Sequence, residues 1–323
     1  MLGYTGRMND TPTGHRPAPA RKLLGLGRRA FWSAGAGLLS GGIALPAYAF
    51  GIEPALRLDI TRYAPQIAAW PAGMGLSIAV ITDLHVGEPY MGLARINEIV
   101  EAANAQRPDL VVILGDYDAG HKFVSQPVSP DETAAALARL RAPLGRFAIL
   151  GNHDYWSGPD QWRRSFAAAG LPILENTVVR LSHGGRGFWL AGTASALAFR
   201  LGHRRFRGLD NLPGTMARIT DDAPVILLAH EPDIFPRVPA RVALTLSGHT
   251  HGGQVRLLGW SPKVPSLYGN RFAYGHVEEQ GRHLIVSAGL GISKLPVRFG
   301  VPPEVVMVHL GGAPGQEIAS RQR

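Results

Sequence analysis

Five short segments of this 323-residue chain concentrate side chains that hold metals or move protons. They are Thr82-Asp83-Leu84-His85, Leu114-Gly115-Asp116-Tyr117-Asp118, Leu150-Gly151-Asn152-His153-Asp154, Ala229-His230-Glu231 and Ser247-Gly248-His249-Thr250-His251-Gly252-Gly253. The chain has no cysteine, so disulfides and thiolate sites are excluded and any transition metal must take nitrogen and oxygen donors. Asp83, His85, Asp116, Asn152, His230, His249 and His251 supply carboxylates, imidazoles and an amide oxygen, more donors than one tetrahedral zinc accepts. Two divalent ions sharing one carboxylate would leave room for water and substrate, as two-metal hydrolytic chemistry requires, and Asp116 is the natural bridge. Mixed imidazole and carboxylate donors suit manganese, iron or zinc alike.

Such donors need elements that bring them together. From Leu76 onward, short β-branched runs alternate with helical patterns, the signature of a layered α/β domain. The pattern predicts strands over Leu76–Thr82, Leu110–Leu114, Phe147–Leu150, Phe188–Ala191, Val225–Ala229, Ala243–Leu246, His283–Ser287 and Val305–His309. It predicts helices over Leu93–Gln106, Asp131–Arg141 and Pro159–Ala169, the last two opened by capping residues. Each donor segment falls where a predicted strand ends, and the carboxyl ends of strands in open α/β sheets are where ligands bind. If those ends stay extended, residues i and i+2 share a face, so Asp83 with His85, and His249 with His251, could address one centre.

Asp-x-His, Gly-Asp, Gly-Asn-His-Asp, His and Gly-His-x-His, in this order, resemble the calcineurin-like metallophosphoesterase superfamily. Ser247 to Gln254 and the run Gly291 to Gly300 resemble its bacterial exported subgroup, typified by YkuE and YaeI. The resemblance spans about residues 50–310 and implies a four-layer α/β/β/α sandwich. It implies that Asp83, His85 and His251 hold one metal, Asn152, His230 and His249 the other, and that Asp116 bridges them. It also implies attack on phosphorus by a metal-bound hydroxide, with His153 stabilising the transition state or protonating the leaving alkoxide. The neighbouring chemistry agrees, because His153 adjoins Asn152 without being needed as a ligand, a suitable place for a general acid. One departure stands out. Many relatives carry an acidic residue three positions after the bridging aspartate to orient the catalytic histidine, whereas Asp118 is two positions after Asp116. Asp154 is a second candidate for that role, or a carboxylate that stabilises its turn.

The other histidines, His15, His121, His183, His203, His276, His283 and His309, match no ligand motif and read as surface or packing residues. Gly289-Leu290-Gly291 reads as a turn in preference to a phosphate cradle. Arg298 and Arg271 read as structural or solvated arginines, although each lies in a loop where a cation could hold phosphate. Ala198 to Thr215, with Arg200, His203, Arg204, Arg205 and Arg207, reads as an ordinary exposed loop leading into a short helix.

The formal charge of +9 is front-loaded, with +5 in residues 1–49. The body's remaining +4 is diffuse and lacks a basic stripe with interleaved aromatics, which argues against nucleic acid as the partner. Arg28-Arg29, the apolar run Trp32 to Leu45 and Ala47-Tyr48-Ala49 form the three parts of an export signal, similar to a twin-arginine signal. Residues 1–49 are therefore expected to be an export signal read by the twin-arginine machinery, or a membrane anchor. Residues 50–311 are expected to be the metallophosphoesterase domain that the resemblance implies, and 312–323 a flexible tail. The expected function is hydrolysis of a phosphate ester of the cell envelope, lipid-linked or cell-wall, at an extracytoplasmic or periplasmic membrane face, by a binuclear phosphodiesterase. A phosphomonoesterase or nuclease using the same site, and a non-catalytic envelope binding protein, are the rivals.

Overall fold

The computed structural model describes residues 44–202 and 205–312. Most of the expected export signal, and the expected tail beyond Gly312, lie outside the described residues. All five donor segments belong to the unit that begins at Ala47. Among the described residues no helix is long and apolar enough to cross a membrane.

Two sheets stack face to face. The first has the order β1 (Asp59–Tyr63), β13 (Glu304–Leu310), β2 (Leu76–Ile81), β3 (Leu110–Ile113) and β4 (Arg146–Ala148). In it β2, β3 and β4 are parallel, and β13 runs antiparallel to β2. The second has the order β11 (Gly275–Glu279), β12 (Arg282–Val286), β10 (Val242–Ser247), β9 (Val225–Leu228), β6 (Arg186–Gly192) and β5 (Thr177–His183). Its four central strands are parallel, and the edge strands β5 and β11 are antiparallel to their neighbours.

Strand alternation sends successive residues to opposite faces, so a strand covered on both sides must be apolar throughout. Ile78 and Val80 of β2 pack with Val112, Leu228 and Leu246 between the sheets. Ala79 and Ile81 of the same strand face α1 (Leu93–Ala105), α2 (Pro130–Leu137) and α4 (Pro159–Ala168) through Ile96, Leu137 and Phe166. On the far side, α5 (Leu212–Met216) and the turn Pro232–Arg237 cover the second sheet through Leu212 and Phe235. The architecture is the expected α/β/β/α sandwich, with its last layer made of short pieces.

Differences from the sequence reading lie where burial gives no pattern. The edge strands β1 and β5 are half-buried and mixed in polarity, so no period marks them. Ala198 to Thr215 is not a plain loop: it contains an antiparallel hairpin of β7 (Phe199–Gly202) and β8 (Arg205–Arg207) before α5. The helix read as Asp131–Arg141 runs from Pro130 to Leu137, opened by a capping box between Ser129 and Glu132. A further short helix, α3 (Asn152–Ser157), begins within the third donor segment.

Candidate metal centre

The strands stop just short of the donors. β2 ends at Ile81 and β10 at Ser247, and the residues beyond them turn sharply. Asp83 (φ 54°), His85 (φ 46°), Asp116 (φ 56°), His249 (φ 69°) and His251 (φ 52°) all lie in the left-handed region. Each such L-residue costs roughly 1–2 kcal/mol, and conformations of this kind cluster at functional sites. The extended i, i+2 geometry expected from sequence is thereby corrected. Asp83 and His85 fall in the same donor group, whereas His249 and His251 fall in different ones.

Asp83, His85 and His251 form one group of mutually close donor atoms, and Asp116, His230 and His249 form another. Asp116 Oδ2 lies between them, 3.2 Å from His230 Nε2 and 3.7 Å from His85 Nε2. His85 Nε2 is 3.1 Å from His251 Nε2, which is 3.4 Å from Asp83 Oδ1. Backbone carbonyls set two of the rings: His85 Nδ1 bonds Asp118 O and His230 Nδ1 bonds Leu114 O, each at 2.7 Å, which turns the Nε2 lone pairs inward. The loops touch closely enough that a Cβ on Gly151 would fall 2.2 Å from Asp116 Oδ1, which accounts for the glycine before Asn152.

Buried polar atoms without partners are rare in folded proteins and call for an explanation. Both amide atoms of Asn152, His230 Nε2 and His249 Nδ1 are buried with no hydrogen-bond partner. Burial holds His85 and His249 down to about 3, and His251 well below its ordinary value, so these three rings are neutral lone-pair donors. Burial, helped by Asp116, pushes Asp83 up to about 6. Against the cost of burial, His230 and His153 hold Asp116 well below the carboxylate range, and Asp116 and Asp83 raise His230 in return. An arrangement of anionic, neutral and orphaned donors facing one space is the chemistry of a cation site, and the residues fit divalent ions.

His153 stands beside these groups. Its N–H donates to Asp116 Oδ1 at 2.8 Å, and its ring lies edge-on to His85, centroids 4.9 Å apart. The Asp118 carboxylate accepts from Gly120 N–H, while its backbone carbonyl orients His85. Asp154 is the turn-stabilising carboxylate: it accepts the N–H groups of Gly151, Asp116, Tyr117 and Asp118, tying two donor loops together. Burial and Asp116 push Asp154 up to about 8, against the pull of those donors.

Arg298 is structural. It is fully buried, donates to the carbonyls of Ala288, Gly291 and Val301, and lies 3.4 Å from His251 Nδ1. Arg271 pairs with Glu279. Gly289 to Gly291 is a turn whose N–H groups bond Thr82 O and Asp83 O. Of the remaining histidines, His276 and His283 stack on each other, and none in the described residues joins either donor group. Sequence reasoning missed Trp156, whose ring lies 4.8 Å from that of His153, and Gly120, where a Cβ would fall 1.8 Å from His153 Nδ1. The only sequence signal for either was proximity to a donor segment.

Comparison with known proteins identifies the family. The model of the calcineurin-like phosphoesterase family matches residues 76–253, a span that contains every donor. The metallophosphoesterase YkuE of Bacillus subtilis is 30% identical over 269 residues, covering 81% of this chain and 88% of that protein. A metallophosphoesterase of Aquifex aeolicus is 32% identical over 257 residues, covering 79% and 92% respectively. A Bos taurus transmembrane protein with a metallophosphoesterase domain is 32% identical over 255 residues, covering 76% of this chain and 55% of that one. On the strength of these matches the chain belongs to the calcineurin-like phosphoesterase family and is a metal-dependent phosphoric ester hydrolase.

Proposed function

We propose that this hydrolase is a phosphodiesterase of the cell envelope, in the exported subgroup typified by YkuE and YaeI, acting on lipid-linked or cell-wall phosphate esters. The observation that carries its hydrolytic side is Asp116 Oδ2 lying between two donor groups. The envelope side is supported by the apolar run Trp32 to Leu45 and by the segment that follows it. Tyr48–Leu56 is helical, and it is fastened behind the site: Arg298 N–H donates to Ala49 O, and the Glu53 carboxylate accepts Gly300 and Val301 N–H. It leaves Phe50, Ile52 and Leu56 exposed, as a segment lying at an interface would.

In this reading Asp83, His85 and His251 would hold one divalent ion, Asn152, His230 and His249 the other, and Asp116 would serve both. When bound, such ions neutralise phosphoryl oxygens and lower the pKa of water, supplying a nucleophile near neutral pH. The chain's own residues do the rest. Asp83 accepts His249 N–H through both oxygens at 3.0 Å and so fixes the two donor groups against each other. Asp154 locks the loops that carry Asp116 and Asn152. His153 gives a proton to the departing oxygen, held for that task by its backbone bond to Asp116 and by packing against Gly120 and Trp156.

Purified protein with added manganese, iron or zinc is expected to hydrolyse bis(p-nitrophenyl) phosphate faster than p-nitrophenyl phosphate. Faster monoester turnover overturns the diesterase reading, and rapid cleavage of RNA or DNA with steep salt dependence replaces it with a nuclease. Changing Arg28 and Arg29 together to lysine is expected to strand the protein in the cytoplasm. Unchanged fractionation overturns twin-arginine export.

A further inference from the structure

The β7–β8 hairpin leans on the helix that carries His153. Arg200 of β7 pairs with Phe206 of β8, so their side chains share one face of the ribbon. Both rest on Trp156: the Arg200 guanidinium lies 3.5 Å from the ring centroid, and the Phe206 ring stacks at 5.8 Å and 22°. Trp156 is itself fixed by its Nε1–H bond to Leu197 O at 3.0 Å, and its ring adjoins His153. Arg207 belongs to the other face, where it lies over Phe199. A continuous series thus runs from His153 through Trp156 to Arg200.

Arg139, Arg163, Arg180, Arg237 and Arg271 each meet a carboxylate. Arg200 is exposed and has no hydrogen-bond or ion-pair partner among the described residues. Stacking on the indole holds the guanidinium plane while leaving its N–H edge free for bidentate contact with an oxyanion. A cation held on the ring that adjoins His153, the residue assigned to the departing oxygen, is placed to read what that oxygen is attached to.

We infer that Arg200, held on Trp156, is a specificity-determining residue that binds an oxyanion, phosphate or carboxylate, on the leaving arm of the ester. The preferred substrate class is a phosphodiester whose departing alcohol carries an acidic group. Arg200 makes and breaks no bond. Water supplies the oxygen of the new P–O bond, the bond from phosphorus to the leaving-arm oxygen breaks with its electron pair on that oxygen, and that oxygen takes up a proton. This assignment rests on the diesterase reading above.

The test compares three diesters with the full chain and manganese: methyl 4-nitrophenyl phosphate, methyl 4-carboxyphenyl phosphate and methyl 4-phosphonophenyl phosphate, with phenol release followed by chromatography. Arg200→Ala is expected to lower kcat/KM for the two acidic esters about tenfold more than for the nitrophenyl ester, mostly through KM, and Arg200→Lys to restore part of the difference. The acidic ester that loses more identifies the oxyanion as carboxylate or phosphate. Equal losses on all three esters, or no loss on any, overturn the inference. So does a wild-type protein that turns over the nitrophenyl ester and neither acidic one, which leaves the diesterase reading standing. Turnover of none of the three, with metal bound, overturns the diesterase reading itself.

Discussion

Helix α3 has two sides built on opposite principles. Towards the donors, Asn152 buries an amide with no partner, and the loops around it hold left-handed residues and carboxylates that burial pushes upward. On the other side, Tyr155 donates to Glu175, which also receives Arg163 Nε and Nη2 at 2.7 Å each. Burial opposes ionisation there too, but Arg163 and Tyr155 win, and Glu175 is held below the ordinary carboxylate range. The difference shows where the fold works against its own local preferences. The donor side is arranged to receive positive charge from outside the chain, and the rear side, satisfied from within it, braces the helix.

If the donor side is completed by cations, their binding should stabilise the protein. At roughly a hundred times Kd the gain is about 2.7 kcal/mol, read as a rise in the unfolding midpoint when manganese is added to chelator-treated protein. Asp116→Asn keeps the residue's size and an oxygen for the His153 N–H, yet removes the shared charge. It is expected to abolish that rise, lose bound metal by elemental analysis and lower turnover roughly a thousandfold or more. A variant that still binds two ions would remove Asp116 from between the groups.

His153→Ala separates proton transfer from metal binding. The metal-dependent rise in midpoint should survive, because His153 belongs to neither donor group, while kcat falls roughly 10²- to 10⁴-fold. Loss of metal together with activity would make His153 part of the cation site and erase the distinction between donors and proton carrier.

Legibility in the sequence divides along the same line. The donors were legible because few arrangements other than a metal site explain Asp83, His85, Asp116, Asn152, His230, His249 and His251 at successive strand ends. The central strands were legible because burial on both faces leaves runs such as Leu76–Ile81 almost wholly apolar. The left-handed turns at Asp83, His85, His249 and His251 were not, since residue type barely encodes backbone strain imposed by tertiary contacts. The β7–β8 hairpin escaped for the converse reason: with every described residue exposed, no hydrophobic period announced it. Arg200 and Arg298 looked alike in sequence, and only packing made one an exposed cation on an indole and the other a buried brace behind His251.

Gly120→Ala tests the seating of His153 without touching a donor. The added Cβ would fall 1.8 Å from His153 Nδ1, and Gly120 has φ 61°, so the ring must move and the loop is strained. Displacement of a reacting group by about 1 Å is expected to lower kcat up to about a hundredfold. Bound metal should be unchanged. Full activity in this variant would mean that the ring has freedom to move and that its packing against Gly120 does not position it.

The smallest expected effect lies on the rear side of α3. The Glu175 carboxyl has a folded-state pKa below its unfolded value of about 4.3, so its contribution is present above that pH and is lost as pH falls through the folded value. Both partners are partly exposed, with side chains at 38% for Arg163 and 22% for Glu175, so solvent screening trims the contribution to about 1 kcal/mol. Glu175→Gln should therefore be less stable than the wild type at pH 7 by urea unfolding, with the gap closing at strongly acidic pH, where both chains carry a neutral side chain. Taking the difference between the two proteins cancels the titration of the donor side, which is common to both. A gap that persists unchanged at acidic pH would show that Glu175 braces α3 through shape and neutral hydrogen bonds, and that charge distinguishes the two sides of the helix less than their geometry does.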